Sequence, residues 1–389
     1  MTEPGPVAGV LAVGDELLRG EVIDGNAAVI GAALDAAGVP VIAHAGTRDR
    51  EAEIAAALEV LLRQVDVVVV SGGLGPTQDD RTREGLARAA GVPLVSGPGS
   101  GLEARQGDHP LRARTLDNPR GTAPGLALVV GDRIVYALPG VPHELAAMLT
   151  EQVLPDLAAR FPGRPPVART TVRTVGVRES RVGELMAPFL ERCQVAFLAE
   201  AGEVRVVLTG ADSPTLAAVR GALAPWSYDG ASLEAAVVTA LSAAGRTVAC
   251  AESLTAGLLA GRIAAVPGAS AVLRGGIVAY ATDVKASLLG VPADVLAEHG
   301  AVSEACARAM AAGAAARLGA DHAMALTGVA GPTEQEGHPP GTVCLGLHGP
   351  EGTTASTLQL PGDRARVRTY AVTAALAGLL RALPGSGSR

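Results

Sequence analysis

Ser253 and Lys285 are the pair of side chains in this sequence best suited to covalent chemistry. Ser253 follows the apolar run Val248-Ala249-Cys250-Ala251, which reads as a strand, and precedes Leu258 to Ala265, which has helical composition. A serine at such a strand-to-helix turn faces the crevice above the sheet, and the first free N–H groups of the following helix can stabilise an oxyanion there. The plainer alternative is that Ser253 or Thr255 caps the helix. Lys285 lies 32 residues further on, behind the strand Gly276-Ile277-Val278-Ala279 and in the first turn of the next helix. Of the 32 basic residues it is the one lysine, and the other 31 are arginine. A desolvated ammonium can lose its proton near neutral pH, whereas a guanidinium cannot. Retention of lysine at this one position therefore points to a proton-transfer task, against the alternative of chance retention on a helix surface. A neutral lysine within reach of a serine is a general base for it. A third strand, Met324-Ala325-Leu326, runs into Thr327-Gly328-Val329-Ala330-Gly331-Pro332, a turn able to cradle an oxyanion or a phosphate, or serving only as a turn.

These loops need a scaffold that gathers strand ends. Val7–Val13, Val39–Ala43 and Asp66–Val70 read as strands, with Asn26–Ala37 and Glu51–Arg63 as helices between them. That β-α-β-α-β alternation predicts a mostly parallel sheet with ligands outside the carboxyl ends of its strands. The cluster Arg160–Pro166 marks a first linker, and Pro225–Gly230 a second break. Between them a strand, a helix and a strand (ARTTVRTVGV, ESRVGELMAPFL, EVRVVLTG) form a small α+β connector, after which strand and helix patterns alternate again. The expected fold is α/β, two mostly parallel α/β domains at 1–164 and 228–389 joined by a connector at 165–227, with a disordered tail PGSGSR. Three Phe, one Trp and four Tyr with a net charge of -7 leave no material for an aromatic, basic nucleic-acid surface. Scattered cysteines and histidines suggest neither a disulfide framework nor structural zinc. No window is apolar enough for a membrane span and no targeting signal is visible, so a cytoplasmic protein is expected.

Several segments carry a family resemblance. AESLTAGLLA, GGIVAYATDVKASLLGV, HGAVSE, ALTGVAGP and PGDRARVR resemble the C-terminal domain of the CinA (competence/damage-inducible protein A) family, which has nicotinamide mononucleotide (NMN) deamidase activity. GDELLRGEVIDGNA, SGGLGPTQDD, NPRGTAPG and LPGVPHE resemble its N-terminal domain, which is similar to molybdopterin-binding domains and is associated with ADP-ribose pyrophosphatase activity. The resemblance implies that Ser253 is the nucleophile and Lys285 its base, with Tyr280 and Thr327 in the catalytic group. Arg364 is then the clamp for the substrate phosphate, with Gly328 and Gly331 in the binding turn. Two departures stand out: the family's A-E-S-C-T-G-G reads AESLTAG, with Leu254 and Ala256, and its E-E-K-P-V-G-T loop reads GHPPGT, with His338 in place of Lys.

In the N-terminal half, Asp15, Asp79 and Asp80 are expected to converge at strand ends, with Glu144 as a further ligand, around a divalent metal (Mg or Co) bridging a pyrophosphate. Asp79 and Asp80 serving only a helix dipole is the alternative. The resemblance adds nucleotide binding by Gly72, Gly73 and Gly75, and by Asn26 and Asn118, the chain's two asparagines. The region Ser96–Asp117 looks shorter than the family's. The reaction expected is hydrolysis of NMN to nicotinic acid mononucleotide and ammonia, with no cofactor, by a homo-oligomer acting on small-molecule nucleotides. Set against it are a non-catalytic, recombination-linked nucleotide-binding scaffold and an enzyme working mainly through the N-terminal site.

Overall fold

Val67 to Val70 are four consecutive β-branched residues, and such a run is stable as a strand only when both of its faces are covered. The computed structural model describes residues 5–97, 106–162 and 168–383 and divides into two units, Met1–Ala168 and Arg169–Arg389. The expected tail and most of the Pro-rich linker lie outside the described residues, as does part of the 96–117 region.

In the first unit the strands are β1 (Ala8–Val13), β2 (Val41–Thr47), β3 (Val67–Ser71), β4 (Arg114–Leu116), β5 (Gly125–Val130) and β6 (Arg133–Leu138). They pair in the order β2-β1-β3-β6-β5-β4, parallel from β2 to β6 and antiparallel beyond. Every residue of β1 and β3 is buried. One face is covered by α1 (Gly25–Ala36) through Ile30 and Leu34, and by α4 (Pro142–Met148) through Leu145 and Met148. The other is covered by α2 (Glu51–Leu62) and α3 (Thr82–Ala89) through Ile54, Leu58 and Leu86. Strand β2 begins two residues later and ends four residues later than its sequence pattern suggests. Gly38 and Val39 are held by N–H bonds back onto α1, and β2 then runs on as an edge strand whose small residues hide its period.

The second unit holds two sheets. The connector contains β7 (Arg169–Val175), α5 (Glu179–Met186), β8 (Gln194–Glu200), β9 (Glu203–Thr209), α6 (Ser213–Leu223) and β10 (Ser227–Tyr228). This is a β-α-β-β-α-β motif with the antiparallel order β8-β9-β7-β10. It packs Val172, Val204, Val206 and Leu208 under Val182, Met186, Val219 and Leu223. The sequence reading missed β8 and α6, and it placed a break where β10 pairs with β7.

The remaining sheet is built from β11 (Val248–Glu252), β12 (Leu273–Val278), β13 (His322–Gly328), β14 (Thr342–Gly349) and β15 (Gly352–Gln359), in the order β12-β11-β13-β14-β15. The first three are parallel and the last two antiparallel. On one face lie α7 (Leu233–Ala244), α8 (Leu258–Ala264) and α11 (Arg364–Ala382). On the other lies α10 (Glu304–Leu318), preceded in the chain by α9 (Thr282–Leu289). Helix α10 is rich in alanine, which lets its backbone approach the sheet so closely that a side chain at Gly346 would strike Ala307 O. No helix among the described residues is long and apolar enough to cross a membrane.

Candidate active site

Strand β11 delivers Ser253 to a turn at its carboxyl end, and β12 delivers Tyr280 and the start of α9, which carries Lys285. Both key side chains are buried, Ser253 at 8% and Lys285 at 2% exposure. The Lys285 Nζ lies 3.1 Å from Ser253 Oγ, 3.0 Å from Ala279 O and 3.3 Å from Tyr280 O. Two of these partners are carbonyls, which can only accept. In its neutral form the amine has two hydrogens for the two carbonyls and one lone pair for the Ser253 hydroxyl proton. Burial pushes the Lys285 ammonium below the ordinary lysine range, partly offset by the nearby Cys306 and Glu336. The Cys306 thiol is itself pushed up to about 11 by burial.

A cavity of about 220 Å³ opens over the pair, with Leu254, Thr327, Gly328, Gly331, Glu334 and Arg364 in its lining. Thr327 Oγ1 donates to Ala301 O at 2.7 Å, so this buried hydroxyl ties the β13 turn to its neighbour rather than facing Ser253 as a proton donor. Tyr280 is half exposed, reaches Lys285 through its carbonyl, and accepts from Arg364 Nη2 at 2.7 Å through its hydroxyl. Arg364 Nη1 donates to Gly331 O at 2.8 Å. The guanidinium thus bridges the two walls of the mouth. His338 is not among the lining residues.

The expected oxyanion donors are not where the sequence put them. Glu252, fully buried at the end of β11, accepts from the N–H groups of Gly257, Leu259 and Ala260 at 2.9 to 3.0 Å. The start of α8 is therefore occupied by a carboxylate of the chain itself. Sequence reasoning missed this residue, although an acid ending a strand of otherwise apolar residues was the available signal. The N–H groups of Leu254, Ala330 and Gly331, all in the cavity lining, donate to no acceptor among the described residues. They are among the donors left for a ligand.

Ala256, where the family motif has glycine, sits at φ +51°. The left-handed region costs an L-residue roughly 1–2 kcal/mol, and glycine returns about 0.4–1 kcal/mol of that through its looser unfolded chain. Ala256→Gly is expected to stabilise the protein by about 0.5–1 kcal/mol. A thermal melt checks this, and a midpoint below that of the parent would contradict it.

The N-terminal candidates assemble differently. A cleft of about 590 Å³ at the ends of β1, β3 and β6 includes Asn26, Gly72, Gly73, Gly75, Asp79, Asp80 and Glu144 in its lining, but neither Asp15 nor Asn118. Asp15 turns to Arg19, 3.6 Å away. Asp80 Oδ2 accepts from Thr77 N and Thr77 Oγ1, and Glu144 accepts from Asn118 Nδ2 at 2.7 Å. Asn118 also donates to Ala123 O, so its amide ties a loop rather than facing a ligand. No group of three or more His, Cys, Asp or Glu among the described residues is arranged to hold a metal ion. The structure brings Asp79, Asp80 and Glu144 to the lining of one cleft and leaves Asp15 outside it. Glu16, Asp24 and Asp49, which the sequence reading left aside, also line the cleft. Burial and the neighbouring Glu16, Asp15 and Asp79 push the Asp49 carboxyl up. Gly72 (φ +102°) and Gly73 (φ +66°) are demanded by packing, since side chains there would strike Val13 O and Thr82 Oγ1. Asn26 Nδ2 donates to Ser71 Oγ and Gly140 O, while its buried Oδ1 has no partner.

Residues 230–383 match the family model described as "CinA C-terminal domain", and residues 9–159 match that described as "Probable molybdopterin binding domain". A CinA-like protein of Frankia casuarinae is 46% identical to this chain, covering 97% of it and 96% of its own length. The chain belongs to the CinA family. A CinA-like protein of Citrifermentans bemidjiense is 38% identical over 97% of this chain and 99% of its own length. Among solved structures, a CinA superfamily protein of Klebsiella pneumoniae is 37% identical, covering 38% of this chain and 92% of that one, with a TM-score of 0.37. Within this CinA-family chain, Ser253 and Lys285 stand in the matched C-terminal domain and the acidic cleft in the matched N-terminal one.

Proposed function

We propose that the C-terminal domain hydrolyses the carboxamide of nicotinamide mononucleotide, giving nicotinic acid mononucleotide and ammonia. The observation that carries this reading is the buried Lys285 Nζ, 3.1 Å from Ser253 Oγ with its other two contacts on carbonyls. Ser253 Oγ attacks the amide carbon as its proton passes to Lys285. The oxyanion forms against the N–H groups of Leu254, Ala330 and Gly331. Lys285 returns the proton to the amine, ammonia leaves, and an ester to Ser253 remains. Water then gives a proton to Lys285, attacks the ester and releases the acid as Ser253 recovers its hydrogen.

The rim carries both signs of charge, Glu334 and Arg364. That suits a substrate with a cationic pyridinium ring and an anionic phosphate. A volume of about 220 Å³ encloses the ring and leaves the ribose phosphate at the mouth, where Arg364 has N–H groups left beyond those given to Gly331 and Tyr280. Pyrophosphate hydrolysis at the acidic N-terminal cleft is not part of this proposal.

Ammonia release from NMN by the full-length protein tests the assignment, with Ser253→Ala as control. A parent protein that releases none, or a Ser253→Ala variant as fast as the parent, would overturn it. The pH profile follows from the lowered Lys285 value. The base works only when neutral, so the rate is expected to rise with pH and level off below the ordinary lysine range. Across the interval between the lowered and the ordinary value the unfolded chain binds more protons than the folded one, so this group's contribution to stability rises with pH. A rate that falls as pH rises through this interval would contradict the scheme.

A further inference from the structure

The connector sheet sets two arginines side by side with no ion pair to either among the described residues. Leu198, Arg205, Arg173 and Tyr228 form one row across β8, β9, β7 and β10, each in register with the next. The neighbours of this row in sequence, Val172, Val204 and Val206, face α5 and α6, so the row stands on the sheet's other face. Like charges directly opposite on adjacent strands are destabilising. In the same unit Arg246 pairs with Asp321 and Arg262 with Glu234. Neither Arg173 nor Arg205 makes an ion pair or a side-chain hydrogen bond among the described residues.

The row forms one wall of a pocket of about 370 Å³, closed on the other side by Ser232 at the start of α7, Arg262 on α8 and Thr369 on α11. That volume lies in the range of small-ligand sites. Of its carboxylates, Glu203 is already engaged by Arg262 and the Tyr228 hydroxyl, and Glu200 is the remaining one. Two arginines in register on adjacent strands can offer their guanidinium forks to the oxygens of one phosphate, and Leu198 and Tyr228 in the lining offer apolar surface beside them.

We propose that the pocket between the connector sheet and helices α7, α8 and α11 is a second ligand site, which binds a phosphate-bearing small molecule through Arg173 and Arg205. The site is separate from the Ser253 cavity, and the two share no lining residue. They are joined mechanically, since α8 follows the nucleophile turn and α11 carries Arg364 as well as Thr369.

The test is equilibrium dialysis of the full-length protein against inorganic phosphate and, separately, adenosine monophosphate, comparing the parent with the Arg173→Met/Arg205→Met double variant. Methionine keeps the apolar stem and removes the charge. The double variant is expected to bind one equivalent fewer per chain, or to bind at least tenfold more weakly, while still deamidating NMN and melting no lower than the parent. The chain's single tryptophan, Trp226, lies two residues before Tyr228, so its fluorescence locates the lost equivalent at this pocket. A difference with both probes identifies a site for free phosphate, and one with the nucleotide alone identifies a site for phosphate esters. Equal binding by parent and double variant with both probes would overturn the proposal.

Discussion

Lys285→Arg is expected to lower NMN deamidation by about 10²-fold to 10⁴-fold, the range for lost general-base assistance. Arginine keeps the positive charge but stays protonated at any pH the protein survives, so its side chain has no lone pair to offer Ser253. Composition alone suggests that the exchange leaves the fold untouched. Burial at 2% changes that expectation, because a bulkier cation in a packed site costs about 1–3 kcal/mol. Lys285→Met separates the two effects. It matches the length, carries no charge and removes the base, so activity falls as far while the melting midpoint falls less than for arginine. Steady-state ammonia release at a temperature where both variants are folded is the measurement. Either variant working within tenfold of the parent would leave Ser253 without the base assigned to it.

Glu252→Ala is expected to cost about 3 kcal/mol of stability, because it strips three backbone N–H groups of their shared acceptor where the turn is buried. For a unit of this size that is a fall of roughly 6–12 °C in the melting midpoint. Glu252→Gln should lose about half as much, since one amide oxygen still accepts while the amide nitrogen meets an N–H group. Melting curves for the pair, followed by circular dichroism, give the graded answer. An alanine variant that melts within about 2 °C of the parent would mean that water replaces the carboxylate and that the turn holds itself.

What the sequence revealed depends on whether a residue's partner is dictated by its chemical type or by its surroundings. Ser253 and Lys285 were legible as a pair because the chain keeps one lysine and the sheet brings together the two loops that carry them. Glu252 was not, because an acid beside a candidate nucleophile reads as part of the same motif until its hydrogen bonds are seen. Of the four N-terminal acids, Asp15 alone lies outside the cleft lining. Its partner is local, Arg19 four residues on, whereas Asp80 keeps its place in the lining while accepting from Thr77 three residues before it. The N-terminal alternation was readable from its β-branched run and the C-terminal one from short apolar runs ahead of helical stretches. Strand β8 was hidden because it is largely exposed, and α6 despite the signal of Asp212 ahead of Ser213-Pro214.

The single lysine has a consequence for proteolysis. A protease that cuts only after lysine has one bond to attack in the whole chain, and it lies inside α9 with its side chain enclosed. Cleavage must wait until that helix opens. The rate at which the intact chain splits into its 1–285 and 286–389 pieces therefore reads out local opening of the active site, without a label and without interference from the rest of the molecule.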